Sequence, residues 1–299
     1  MNHSKSTIYL NKVEINISEY SDGSVNVTYP PSCLYDLNTH DPINIDARIK
    51  DSIGLLALIY LLDHLNNSVE YSNFTVHCSL DYFPNSRQDR TVNTGAIVQP
   101  FTLKTFCKIL NSFSNVIYFV SDPHSNVIET LLNKVVVDSL SSLVSVFCKD
   151  KYDILKDVDY LISPDQGAYK KVKAIGERYN IPVLVADKVR NPETKEIKLS
   201  LNTNIDLTGK KVLILDDLVD FGNSIIELAK MLKNTYNAKE VNVFVSHAIL
   251  PMNQRITPPS RLGAIFNNGY IDNFYCYNLF DAYDLNEQYM DEIKWSVDY

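Results

Sequence analysis

The chain is short of the residues that staple, coat or span. Its five cysteines, Cys33, Cys78, Cys107, Cys148 and Cys276, are scattered, odd in number and form no C-x-x-C pair. That pattern argues against a disulfide framework and a cysteine-built zinc site, and suits a reducing cytoplasm. Basic charge is scarce: 28 Lys and Arg stand against 36 Asp and Glu, a net charge of -8. Broad electrostatic binding to nucleic acid or to an anionic membrane is therefore not expected, and small phosphorylated ligands remain. Long apolar runs are missing too. The longest, Ile53 to Leu62, is about half of what a bilayer span needs. The opening MNHSKST has no apolar stretch of the kind a signal peptide carries, so a soluble, unprocessed protein is expected.

What is present is an ordinary globular composition. The 299 residues, 45% hydrophobic and 21% charged, suffice for one large or two ordinary domains with a sizeable core. Val13, Ile15 and Ile17 alternate, Ser21-Asp22-Gly23 makes a turn, and Val25 and Val27 alternate again, which predicts a β-hairpin. Apolar spacing then predicts helices over 53–65, 103–113, 168–179 and 225–236. Strands are predicted at 74–80, 116–120, 160–162, 183–185, 212–215 and 241–245. Strands alternating with helices imply an α/β protein with mainly parallel sheets. Two such runs meet between 145 and 155 and predict two similar halves, 1–148 and 149–299.

In parallel α/β sheets ligands bind beyond the carboxyl ends of the strands, and five such places stand out. LDDLVDFGNS at 215–224 places Asp216 and Asp217 at a strand exit and Gly222-Asn223-Ser224 at a helix start. Paired carboxylates accept hydrogen bonds from vicinal sugar hydroxyls, and first-turn N–H groups hold phosphate; taken alone, an acidic pair more often marks a capped helix. SPDQG at 163–167 joins a strand to a helix through Asp165, Gln166 and Gly167, a turn that suits diphosphate or a metal's waters as well as a simple cap. SDPHS at 121–125 sets Asp122 and His124 after a strand, where the histidine could hold a metal, touch phosphate or be merely solvated. FPNSRQDR at 83–90 carries Arg87, Gln88, Asp89 and Arg90, suited to a purine and phosphates or to a surface charge network. DKVRNPETKEIK at 187–198 reads as a mobile loop or hairpin tip whose Lys188 and Arg190 could close over a phosphoryl group.

In identity and order, YSDGS, FPNSRQDR, DPHS, SPDQG, DKVR and LDDLVDFGNS, followed by VSHAIL at 245–250 and IDNFYCYN at 271–278, resemble the ribose-phosphate diphosphokinases, also called phosphoribosyl pyrophosphate synthetases. The resemblance implies two tandem type I phosphoribosyltransferase-like domains. It also implies Mg²⁺-dependent transfer of the β,γ-diphosphate of ATP to the 1-hydroxyl of a ribose phosphate, serving nucleotide or NAD biosynthesis. Carried over by residue, it puts ATP at Arg87, Gln88, Asp89 and Arg90, with Asp22 reaching a neighbouring subunit's nucleotide. Asp165, Gln166 and Gly167 would meet the diphosphate, and His124 and Asp165 the Mg²⁺. Lys188, Arg190 and His124 would serve catalysis. Asp216, Asp217, Asp220, Phe221, Gly222, Asn223 and Ser224 would hold the acceptor ribose. A homo-oligomer, dimer at least, is implied.

Departures bear on the acceptor. Relatives carry a Thr-small-Gly-Thr run after the acidic residues, where this chain has Phe221-Gly222-Asn223-Ser224. Phenylalanine removes a hydroxyl donor from the sugar's 5-phosphate cradle and offers a ring for stacking. A 5-substituted acceptor such as ADP-ribose is thus an alternative to ribose 5-phosphate. Ser24, Ala168 and Val189 also replace residues common in relatives. Two rival functions stay open, a phosphoribosyltransferase that consumes the activated sugar and a non-catalytic regulatory homologue. The 83–90 and 122–125 segments favour the kinase, because a transferase needs no ATP site.

Overall fold

The computed structural model describes residues 6–35, 37, 40–150, 152–190, 197–202, 204–249, 269–280 and 293–295, with backbone only at 150, 188–190, 197, 198 and 293–295. The chain divides into two units, 1–138 and 139–299.

The first unit opens with β1 (Thr7–Leu10), β2 (Val13–Glu14), β3 (Asn16–Glu19) and β4 (Val25–Thr28). It continues through β5 (Ile43–Arg48), α1 (Ser52–Asn67), β6 (Val76–Leu80), β7 (Val92–Asn93), β8 (Val98–Gln99), α2 (Thr102–Leu110), β9 (Val116–Ser121), α3 (Val127–Leu131) and β10 (Val135–Asp138). Its main sheet runs β10-β9-β6-β5-β1-β2. The first four of these strands are parallel and β1 and β2 close the edge antiparallel. Alternation sets the inward face: Val76, Cys78 and Leu80 of β6 and Val116, Tyr118 and Val120 of β9 are buried. They meet Ala57, Leu58, Leu61, Leu62 and Leu65 of α1, each fully buried leucine contributing about 1.5–3 kcal/mol. Asp51 caps α1 by accepting from the Gly54 N–H at 2.7 Å. The Tyr118 phenol, 2% exposed, donates to the Leu110 carbonyl at 2.9 Å, so its hydroxyl is buried without being stranded. The expected hairpin is β3 paired with β4, while Val13 belongs to β2 on the main sheet.

The second unit comprises α4 (Leu140–Asp150), β11 (Tyr160–Ser163), α5 (Gln166–Tyr179), β12 (Val183–Arg190), β13 (Ile197–Leu201), β14 (Lys211–Val219), α6 (Asn223–Asn234), β15 (Glu240–Ala248), β16 (Asn273–Leu279) and β17 (Ile293–Trp295). Its sheet runs β13-β12-β11-β14-β15-β16-β17, parallel except for the antiparallel pair β12 and β13. Helices cover both faces, which is why its strands read as unbroken apolar runs. Leu213, Leu215 and Phe244 pack with Val172 and Ile175 of α5 and Leu143, Val144 and Phe147 of α4. Ile214, Val243 and Val245 pack with Ile225, Leu228 and Leu232 of α6 on the other face.

Three features differ from the sequence expectation. The units part at 138/139 and not at 148/149, because α4 sends its apolar face into the second unit's core. The strand expected over 212–215 runs on through the acidic pair to Val219, held by its ladder to β15, in which Asp216 faces Val245 and Leu218 faces His247. The strand expected to end at 185 continues to Arg190, with Lys188 opposite Leu199 and Arg190 opposite Ile197. There the 187–198 segment takes the hairpin form, and its tip at 191–196 lies outside the described residues.

Candidate active site

The second unit gathers its chemistry where β11 and β14, adjacent and parallel, reach their carboxyl ends. Beyond β11 the chain turns at once into α5. Asp165 is the N-cap, its Oδ1 accepting from the Ala168 N–H at 3.0 Å. The Ser163 hydroxyl donates to the Asp165 carbonyl at 2.8 Å and braces the turn from below. A Cβ at Gly167 would stand 3.1 Å from Asp165 Oδ1, so a small residue lets the backbone fold tightly against the cap. Asp165, Gln166 and Gly167 are exposed, and their N–H groups lie in the first helical turn, where an anion is favoured. Gln166 leans toward β12, donating to Asp187 Oδ1 at 3.2 Å.

One strand over, alternation along β14 turns Asp216 toward the α6 side and Asp217 toward the α5 side. The contacts agree: Lys171 of α5 places Nζ 3.4 Å from Asp217 Oδ2. Asp216 Oδ1 accepts the Asp217 N–H at 2.9 Å. Burial, more than anything else, raises the Asp216 pKa well above the ordinary carboxylate range; the Asp217 carboxylate adds to it and Asp165 adds a smaller share. Carboxyl groups this close resist being charged together, so the site is built to receive donors or cations. Past Val219 come Asp220 and an exposed Phe221, and then Gly222 caps α6 in the left-handed region at φ 78°, ψ -11°, with no side chain closing the helix. An uncapped helix start presents first-turn N–H groups, here from Asn223 and Ser224, to a ligand.

In the first unit, Arg87, Gln88, Asp89 and Arg90 follow β6. The turn is closed by the Gln88 N–H on the Asn85 carbonyl at 2.9 Å. Thr102 at the start of α2 hydrogen-bonds the Gln88 side chain. Arg87 and Arg90 are exposed. His124 is exposed beyond β9. The preceding Asp122 is 2% exposed and in the left-handed region at φ 32°, and its N–H donates to the Asp138 carbonyl at 2.7 Å. Asp22 sits at the tip of the β3–β4 hairpin, its Oδ1 accepting from the Ser24 N–H at 2.9 Å; bonds to Ser24 lower its pKa. The side chains of Lys188 and Arg190 lie outside the described residues.

No group of three or more His, Cys, Asp or Glu side chains among the described residues is arranged to hold a metal. A hard cation such as Mg²⁺ is commonly held by one or two carboxylates together with substrate phosphates. The exposed Asp165 carboxylate at a phosphate-favouring helix start fits that mode.

A family model described as phosphoribosyl transferase domain matches residues 152–264. The ribose-phosphate pyrophosphokinase of Mycoplasma pneumoniae is 28% identical over 233 residues, covering 78% of this chain and 66% of that protein. The enzyme of that name from Thermosipho africanus is 28% identical over 236 residues, covering 78% of this chain and 70% of its own length. The crystal structure of phosphoribosylpyrophosphate synthetase from Mycobacterium smegmatis matches 94% of this chain and 85% of that one, with a TM-score of 0.67 at 16% identity. The chain is a relative of the ribose-phosphate pyrophosphokinases. Its fold is accordingly type I phosphoribosyltransferase-like. The matched stretch spans about two thirds of the first of these pyrophosphokinases.

Within this pyrophosphokinase relative, β11, β14, α5 and α6 bring Asp165 and Asp217 into electrostatic range of Asp216 and place Gly222 at a helix start. Sequence inspection did not single out Lys171. A second lysine in a helix carries no signal of its own; only the adjacency of β11 and β14 brings it to Asp217.

Proposed function

We propose that the chain is a Mg²⁺-dependent pyrophosphokinase that transfers the β,γ-diphosphate of ATP to the 1-hydroxyl of a ribose 5-phosphate group, releasing AMP. The observation that carries this reading is the juxtaposition in one unit of a carboxylate pair, Asp216 and Asp217, with the capped turn 165–167 on the neighbouring strand. One suits the vicinal hydroxyls of a ribose and the other the diphosphate that must arrive beside C1.

In this reading Asp216, Asp217 and Asp220 accept hydrogen bonds from ribose hydroxyls and fix the sugar ring. The N–H groups at the start of α6 face its 5-substituent. The turn at 165–167 receives the diphosphate, and Arg87, Gln88, Asp89 and Arg90 bind the nucleotide, with Asp22 reaching the ATP of a second subunit in a homo-oligomer. Asp165 would hold Mg²⁺, which when bound would offset charge on the phosphates, and His124 is the first unit's candidate for a metal ligand. The ribose 1-oxygen attacks the β-phosphorus in line, the bond from the β-phosphorus to the α,β-bridging oxygen breaks, and AMP departs with that oxygen. The hydroxyl proton passes to solvent water as the new bond forms, and no covalent enzyme intermediate is needed. Lys188 and Arg190 stabilise charge on the transferring group. Positioning and preorganised charge supply most of the acceleration. A cytoplasmic setting and a role in nucleotide or NAD biosynthesis accompany this reading.

The acceptor is the finer question. Phe221 is 40% exposed beside the uncapped start of α6, where a ring can stack on an adenine and where a free phosphate dianion finds no side-chain hydroxyl from residue 221. This favours an acceptor whose 5-phosphate is already esterified, such as ADP-ribose, over ribose 5-phosphate. A side-by-side assay of the two, with product mass measured, tests it. Preference for ribose 5-phosphate by orders of magnitude would reject the role given to Phe221.

A further inference from the structure

The Lys171–Asp217 ion pair joins two parts of the proposed site that lie far apart in sequence. Lys171 stands on α5, the helix whose first turn is the proposed diphosphate cradle, and its Nζ is 3.4 Å from Asp217 Oδ2. The two side chains are only 21% and 13% exposed, so solvent screens the pair less than it would a surface bridge. The pair also has a job that a surface bridge lacks. Asp217 lies against Asp216, and Asp165 adds a third carboxylate within electrostatic range. Alternation along β14 turns Asp217 toward α5, and the Lys171 ammonium there offsets the repulsion among the carboxylates and fixes where the Asp217 carboxylate rests.

We infer that Lys171 is a positioning residue for the acceptor subsite, holding the Asp217 carboxylate where it accepts a hydrogen bond from a sugar hydroxyl. This rests on the pyrophosphokinase reading above. Lys171 reaches Asp217, whereas the diphosphate turn is fixed by the Asp165 cap on the Ala168 N–H and by Ser163. Its loss should therefore be felt in the acceptor and not in ATP. A residue that merely kept α5 seated would disturb both, since the diphosphate turn is the start of the same helix.

The test uses the full chain with Lys171→Met and Lys171→Arg, reading kcat, acceptor KM and ATP KM from AMP formation. Lys171→Met should raise the acceptor KM about tenfold or more and leave the ATP KM within about twofold, with Lys171→Arg recovering most of the loss. An unchanged acceptor KM, or a parallel rise in both KM values, overturns the inference. If Lys171→Met does not fold, Lys171→Gln, which keeps a donor but no charge, takes its place with the same outcomes. A wild-type protein that forms no AMP with either acceptor defeats the functional reading, and this role with it, before any variant is made.

Discussion

Replacing Asp216 with Asn should make the protein more stable near neutral pH and less able to use a ribose acceptor. The amide oxygen of Asn can still accept the Asp217 N–H that now lies 2.9 Å from Asp216 Oδ1, so the main local bond survives. What disappears is a carboxylate whose pKa is raised by burial, by Asp217 and by Asp165. In the unfolded chain such a group titrates near about 3.9. Between that value and the raised folded one, the folded protein binds more protons than the unfolded chain. The stability linked to Asp216 is therefore fully present below about 3.9 and lost as pH rises through the folded pKa. Asn carries no such loss, and single stabilising substitutions commonly yield about 0.5–2 kcal/mol. At roughly 2–4 °C per kcal/mol for a domain of this size, the Tm gain should be a few degrees. A hydrogen bond to a charged acceptor contributes about 1.5–3 kcal/mol, so kcat/KM for the acceptor should fall roughly 10- to 150-fold. The measurement is a series of thermal melts of both proteins from pH 5 to pH 8, beside AMP-formation kinetics. The Tm gap should widen with pH. A variant less stable than wild type at pH 8, or a gap that narrows as pH rises, refutes the reasoning.

Three further outcomes are expected. Phe221→Thr should shift the acceptor preference toward ribose 5-phosphate by roughly 5- to 150-fold, the equivalent of about 1–3 kcal/mol of base stacking, read as the ratio of kcat/KM for ADP-ribose and ribose 5-phosphate; an unmoved ratio removes Phe221 from acceptor selection. Gly222→Ala forces a Cβ into the left-handed N-cap at φ 78° and should cost about 1–2 kcal/mol, seen as a lower Tm with a raised acceptor KM; an unchanged Tm would mean that the loop is not held in this conformation. Lys188→Ala should lower kcat by roughly 100- to 1,000-fold while moving either KM far less; undiminished turnover would strike Lys188 from the catalytic set.

Much of this architecture was readable from periodicity, and the departures have local causes. The helix of 53–65 and the strands at 116–120 and 241–245 carry apolar patterns that tertiary contacts merely fixed in place. β5 carries the same alternation, Ile43, Ile45 and Ala47 inward and Asn44, Asp46 and Arg48 outward, but it follows directly on the irregular, proline-containing stretch that ends at Pro42, which masks where the strand begins. α4 was missed because Ser141, Ser142, Ser145, Val144 and Val146 are weak helix formers, and its helicity rests on packing against Val172, Leu213 and Phe244. That omission also moved the expected boundary. Aspartate is poor in strands, so the sequence sets Asp216 and Asp217 at a strand exit, yet the register to β15 carries them inside the strand. At the site, the acidic pair and the 165–167 turn stand out in the sequence because they follow predicted strands, although aspartate there serves equally as a helix cap, as Asp165 does. Lys171 was not, because its meaning depends on which strand lies beside which.

The account's central claim is diphosphoryl transfer to a ribose, and its most direct measurement is AMP release by the wild-type protein with Mg²⁺ and ATP. Ribose 5-phosphate and ADP-ribose are supplied separately and every product is weighed by mass spectrometry. The prediction is that AMP forms only when an acceptor is present, in step with an acceptor heavier by one diphosphate group, and faster with ADP-ribose. Absence of AMP with both acceptors, or consumption of a 1-diphosphate sugar in its place, would contradict it.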